Sequence, residues 1–155
     1  MPAINFYTRN KVVILNGAAA AGTGTITPAN GVDCSGFDSV FLLAVFGAVS
    51  ATSVTGLQAQ ASNDNAVADP YSAIGGSNVV VPVAAGPLAV AIDVHRPIKR
   101  WVLPVVTRVT ANAVLDCIVA FLYNAHGAVP GIPVGLDATV AAINFLADSS
   151  PLGAA

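Results

Sequence analysis

Charge is what this chain has least of. Only 9% of its 155 residues are Asp, Glu, Lys or Arg, against about 25% in an ordinary soluble domain. So little charge cannot cover a lone monomer, and contiguous apolar patches beyond a few hundred Å² usually mark contact sites. Assembly with other chains is therefore the first expectation. Six basic residues against eight acidic ones, for a net charge of −2, leave out the basic footprint that nucleic-acid binding requires. Cysteine is scarce too: Cys34 and Cys117 are far apart, which argues against a disulfide scaffold, and both are expected as small buried apolar residues. Long apolar runs are missing. The best, 40–51 and 79–92, fall short of the roughly 20 residues a membrane helix needs, and Pro82 and Pro87 break the second. A membrane barrel would need more strands than the chain can supply, so no membrane partner is expected. Arg9 and Lys11 ahead of Val12–Leu15 imitate the start of a signal peptide, but the apolar stretch stops at Asn16-Gly17. The chain is expected to be made and used without secretion.

What is present is a series of runs rich in Val, Ile, Phe and Thr, separated by Gly, Pro, Asn and Asp, and this pattern predicts an all-β domain. A short strand over Lys11–Leu15 precedes a low-complexity loop, Gly17–Thr25, and a turn at Asn30-Gly31. In Ser39–Val49, Val40, Leu42, Ala44 and Phe46 share one face, and Phe41, Leu43 and Val45 the other. Such a strand needs cover on both sides. A link at 50–53 leads to Leu57, Ala59 and Ala61, which alternate with Gln58, Gln60 and Ser62 as in a half-exposed strand. Residues 63–78 read as a long loop, and the prolines confine 79–83 and 88–94 to edges or bulges. In 100–110 the odd positions Trp101, Leu103, Val105 and Val109 are expected in the core, with Arg100 and Arg108 on the opposite face and Pro104 at an edge or bulge. A turn near Ala111-Asn112 predicts a hairpin with 113–123, whose two faces are again both apolar. The expected architecture is an antiparallel, jelly-roll-like β-sandwich over 1–126, with an N-terminal arm over 1–10 and an extended C-terminal arm over 127–155. Leu136, Val140 and Ile143 allow a short helix in that arm.

The candidate chemistries fail on spacing. Gly17 to Thr23 approaches a phosphate loop, but Thr23 stands where the phosphate-binding Lys belongs. Gly22-Thr23-Gly24 fails as a dinucleotide fingerprint, since Thr27 replaces the third Gly. A calcium loop from Asn63 would use Asn65, Val67 and Asp69, yet it lacks the turn glycine and the closing glutamate. His95, His126, Cys34 and Cys117 contain no short ligand pair. Asp116 and Cys117 are adjacent on a strand, so they point to opposite sides and cannot form a simple catalytic set. The expectation is a protein without catalysis, cofactor or metal.

Several segments in order, Gly36-Phe37-Asp38-Ser39, Gln58-Ala59-Gln60-Ala61-Ser62-Asn63-Asp64, Asp93-Val94-His95-Arg96-Pro97, Lys99-Arg100-Trp101-Val102 and the strand Cys117–Asn124, resemble the head decoration or cement proteins of tailed bacteriophages. The resemblance covers about residues 33 to 125 and rests on the arrangement of strands, with no invariant motif. It implies a virion protein on the capsid surface, assembled in the host cytoplasm. Such a protein commonly forms a homotrimer and binds the major capsid protein to lock the lattice. Related sandwiches in tails and fibres imply an alternative, a structural or recognition module there, with carbohydrate as the ligand class. Under the capsid reading the basic cluster His95, Arg96, Lys99 and Arg100 is the candidate partner-binding site, meeting an acidic patch on the capsid protein. The plainer reading of the same cluster is a solvated strand entrance.

Overall fold

Runs of β-branched and aromatic residues become antiparallel strands in the computed structural model, which describes residues 9–50, 55–109 and 113–126. In chain order they are β1 (Lys11–Asn16), β2 (Ala19–Gly22), β3 (Val32–Asp33), β4 (Phe37–Val49), β5 (Thr55–Ser62), β6 (Ser72–Ala73), β7 (Val79–Val80), β8 (Leu88–His95), β9 (Trp101–Arg108) and β10 (Ala113–Ala125). Their pairing is nested. β5 pairs with β6 and β7, β4 with β8, β3 with β9 and β1 with β10. One long antiparallel ribbon has rolled up, adding the contacts β4–β10 and β5–β9. The result is two sheets, β1-β10-β4-β8 with β2 also on β10, and β3-β9-β5-β6 with β7 also on β5. This strand order makes the fold an all-β antiparallel sandwich of jelly-roll type. Residues 1–8 of the N-terminal arm and the whole C-terminal arm, 127–155, with the helix expected there, lie outside the described residues.

The core lies between the sheets. Val40, Leu42, Ala44 and Phe46 of β4 and Ile118, Ala120 and Leu122 of β10 are fully buried, in one cluster with Leu57 and Ala59 of β5 and Val102 and Val106 of β9. Each large side chain buried this way stabilises the fold by roughly 1.5–3 kcal/mol. Two bulges keep the central pair in phase with this core. Phe46 opposes Leu115 while Val45 opposes Cys117, so β10 carries an extra residue there. One step further on, Val49 opposes Ala113, which places the extra residue on β4. Each bulge shifts the alternation by one. Leu115 and Ile118 therefore both point inward although three positions apart.

Four expectations are corrected. The segment 17–25 is not all loop, because Ala19–Gly22 pairs with the start of β10. β9 and β10 form no hairpin; they lie in different sheets, as consecutive strands do wherever the rolled ribbon crosses from one layer to the other. The core face of β9 is the even one. Val102, Pro104 and Val106 are buried inward; of the four odd positions, Leu103 and Val105 are buried as expected but lie outside the central cluster, Trp101 is half-buried and Val109 is exposed. With five apolar residues in a row, alternation could not fix the phase, but the ladder does. Val106 exchanges both backbone bonds with Ile26, so the even residues of β9 face the β3 side. Pro104 then falls in the gap between Ile26 and Val32, where no donor is required of it. Finally, Arg108 is buried, with Nε donating to Gly24 O (2.8 Å) and Nη1 to Ala20 O (2.8 Å) and Ala113 O (2.9 Å). It ties β2 and β10 to the end of β9.

Phe46→Ala is expected to cost roughly 3–5 kcal/mol in chemical denaturation, as truncation of a large buried aromatic does. Arg108→Met strands buried carbonyls, and its expected cost is about 2 kcal/mol or more in the same measurement.

Candidate binding surface

The basic cluster sits where β8 ends and the chain crosses to β9. Arg96 has a left-handed backbone (φ 51°) that stops β8, and its N–H donates to the carbonyl of Asp38 (2.8 Å). Beyond this point the charges diverge. Arg100 donates Nε and Nη2 to the two oxygens of Asp33 (2.9 and 2.6 Å) and lies 5.5 Å from the Trp101 ring centroid. That bidentate pair holds the Asp33 carboxyl below its ordinary range. Lys99 Nζ donates to Asp69 (2.9 Å) and to Ser72 Oγ (3.3 Å). His95 Nδ1 shares a hydrogen bond with the buried Ser39 Oγ (2.9 Å). Of the four cluster residues, Arg96 is the one whose side chain makes no hydrogen bond or ion pair among the described residues. An open cleft of about 370 Å³ adjoins it, lined by Ile74, Gly75, Val94, Pro97 and Ile98 among others.

Lys99 reaches a loop that is more ordered than its sequence suggests. Asp64 accepts the N–H groups of Val67 (3.1 Å), Ala68 (2.7 Å) and Asp69 (3.1 Å). Asp69 accepts from Asn63 N–H (2.8 Å) and Lys99. The amides around Asp64, that of Asp69 foremost, and the Lys99 ammonium beside Asp69 hold both carboxyls below the usual range. These bonds stabilise a turn in which Asn65 and Ala66 are both left-handed (φ 59° and 65°). Tyr71 docks on the same turn, its hydroxyl donating to Asn65 Oδ1, while Gly31 N–H reaches both Asn65 Oδ1 and the Tyr71 hydroxyl (3.1 Å each). A Cβ at Gly31 would press on that hydroxyl and come within 2.9 Å of the backbone oxygen of Val102, so glycine is required there. Carboxylates saturated by amides and Lys99 make turn chemistry, the plainer reading of this loop.

The outer face of the β4 sheet is the larger surface. Phe41, Leu43 and Val45 stand opposite Phe121, Val119 and Cys117 of β10, and Leu43 and Val45 also stand opposite Ala91 and Ala89 of β8. All are at least partly exposed. Phe41 and Phe121 are tilted at 54° with centroids 6.2 Å apart. They line an open groove of about 690 Å³ with Asn10, Leu43, Asp93 and Tyr123. One end of the face is polar: Tyr123 donates to Asp93 Oδ1 (2.7 Å), and His126 Nε2 contacts Asp38. His126 and, more weakly, Arg96 and His95 lower the Asp38 pKa. This polar end was not foreseen in the sequence, although Tyr123 and Asp93 can be placed on one face by counting twos along each strand.

The cysteines differ from expectation in part. Cys34 is buried, and burial, helped by the charge of Asp33, pushes its thiol up to about 12. Cys117 is only half-buried because the β10 bulge turns it outward. No cluster of His, Cys, Asp and Glu fit to hold a metal occurs among the described residues.

No family model matches the chain, and no curated protein sequence matches it. Among solved structures it is similar to dimeric latent PorU from Porphyromonas gingivalis, at 6% identity and a TM-score of 0.37, covering 76% of this chain and 13% of that one. It is also similar to the CBM22-1–GH10 modules of Clostridium thermocellum xylanase 10B complexed with xylohexaose. There the identity is 13% and the TM-score 0.40, over 89% of this chain and 28% of the other. The chain thus spans under a third of either protein, and similarities of this size carry nothing about function.

Asp33, Asp38, Asp64 and Asp69 all have lowered pKa values. Their contribution to stability is complete above the unfolded aspartate value of about 3.9 and is lost as pH falls through the lowered folded values. The melting temperature is expected to hold from neutrality to about pH 4 and to fall below it. Asp64→Ala, which frees several amides at once, is expected to lower the melting temperature at pH 7 and to flatten that acid dependence, read by calorimetry.

Proposed function

We propose that this chain is a structural subunit of a tailed-phage virion, binding the capsid lattice and strengthening it without catalysing a reaction. The observation that supports this reading best is the outer face of the β4 sheet. Antiparallel sheets with one face in water alternate apolar inward and polar outward. Here Phe41, Leu43, Val45, Val119 and Phe121 occupy outward positions along the two central strands. Such a face suits obligate association, whose interfaces are apolar and run from about 2,000 Å² upward. The resemblance to decoration proteins supplies the partner, the major capsid protein, and the location, the capsid surface after assembly in the host cytoplasm. The chain would act there as a homo-oligomer.

Within the basic cluster the geometry favours Arg96 as the contact to an acidic capsid patch. Arg100 and Lys99 are already neutralised by Asp33 and Asp69. Tyr71, which a carbohydrate site would need free, spends its hydroxyl on Asn65 and Gly31.

Purified protein is expected to bind capsids of its parent phage, stripped of this subunit, saturably in co-sedimentation, and to raise their disruption temperature. Leu43→Lys or Val45→Asp is expected to weaken binding about tenfold or more with the circular dichroism of the sandwich retained. A folded protein that ignores such capsids would overturn the proposal. Deletion of 127–155 is expected to leave the sandwich folded and to weaken capsid binding; loss of all folding would make that segment part of the core.

A further inference from the structure

Among the described residues β8 is an edge strand: its inner neighbour is β4, and it ends the sheet order. The register with β4 runs without a shift from Leu88–Phe46 to His95–Ser39. Arg96, next in that register, gives its N–H to Asp38 O. Alternate residues of an antiparallel strand turn both backbone groups to the same neighbour. The even residues of β8 therefore face β4, and Ala89, Ala91, Asp93 and His95 turn their N–H and C=O groups to the open side.

Proteins guard such an edge with lysine, proline, bulges or charges that project along it. Leu88–His95 contains no lysine, arginine or proline and no bulge against β4. Its two polar side chains are drawn away from the edge. Asp93 is held by Tyr123 of β10, across β4, and His95 by Ser39 of β4. What flanks the open ladder is the small side chains of Ala89 and Ala91. A row of extended backbone donors and acceptors is satisfied by another extended backbone, and β8 offers the same alternating row in reverse when turned about a two-fold axis.

We infer that two copies of this chain join through the free edges of β8, antiparallel, about a two-fold axis near Ala91 and Ile92. Outward residues then oppose outward residues, so the apolar faces of both copies lie on the same side of one continuous sheet. The interface is isologous, and its symmetry differs from the three-fold one that the resemblance implies.

Sedimentation equilibrium of the full chain is expected to give a dimer. Ala89→Lys and Ala91→Pro are each expected to weaken self-association about tenfold or more with the circular dichroism unchanged. Amide exchange gives a test free of variants. In the dimer the amides of Ala89, Ala91, Asp93 and His95 are protected, and on dilution to monomer they exchange freely. Those of Val90, Ile92 and Val94, bonded to β4, stay protected in both. A monomer, a trimer, or a dimer whose odd-numbered β8 amides exchange freely would overturn the inference. If Ala91→Pro fails to fold, Ala89→Lys and the exchange pattern still decide. A trimer that binds capsids would remove this pairing and leave the proposed function standing; a β8-linked dimer that ignores capsids would do the reverse.

Discussion

The β4–β10 ladder is the interaction on which the rest of the structure depends. Both strands are 13 residues long, and side by side they form the middle of one sheet. β1 and β2 hang on the far side of β10, β8 on the far side of β4. The inward side chains of the pair supply a large part of the core against which β5 and β9 pack. The same ladder also sets the character of the exterior, since its alternate residues are equally apolar. One run of backbone pairing thus determines the hydrophobic core and the surface available to partners.

Much of this was legible in the sequence. Strands β1, β4, β5, β8 and β10 fall close to where alternation and turn residues put them, and the inward face of β4 is the one composed of Val40, Leu42, Ala44 and Phe46. Phase was lost where both faces are apolar. In β9, Val102 to Val106 present no polar residue to mark the outside, and only the pairing with Ile26 and Val32 decides. In β10 the bulge at Leu115–Cys117 moves the alternation by one, a shift that no local pattern announces. Pairing itself was misread between β9 and β10, because closeness in sequence suggests a hairpin while the rolled ribbon sends these two strands to opposite sheets.

The basic cluster was harder still to judge, because charge density along the chain says nothing about partners distant in sequence. Arg100 meets Asp33 and Lys99 meets Asp69, acids 67 and 30 residues away. Both pairs are partly exposed, and such pairs add little to stability. Their effect is positional: they fasten the 96–100 crossing to β3 and to the loop after β5. Arg108 makes the same point at the other end of β9, where three carbonyls from two separate stretches, 20–24 and the start of β10, converge on one guanidinium.

Nested pairing has a consequence for how the chain is made. β4 emerges from the ribosome before either of its neighbours, β8 and β10, exists, and β1 waits longer still for β10. At roughly 5–20 residues per second, an apolar strand stays unpaired for seconds. Contacts so distant in sequence also close slowly, since a long loop must be ordered before any pairing rewards it. The innermost pairs, β5 with β6 and β7, are the first that synthesis can complete. Folding during synthesis would then proceed outward from the bend of the ribbon, and the sheet that carries the apolar exterior would be the last to close.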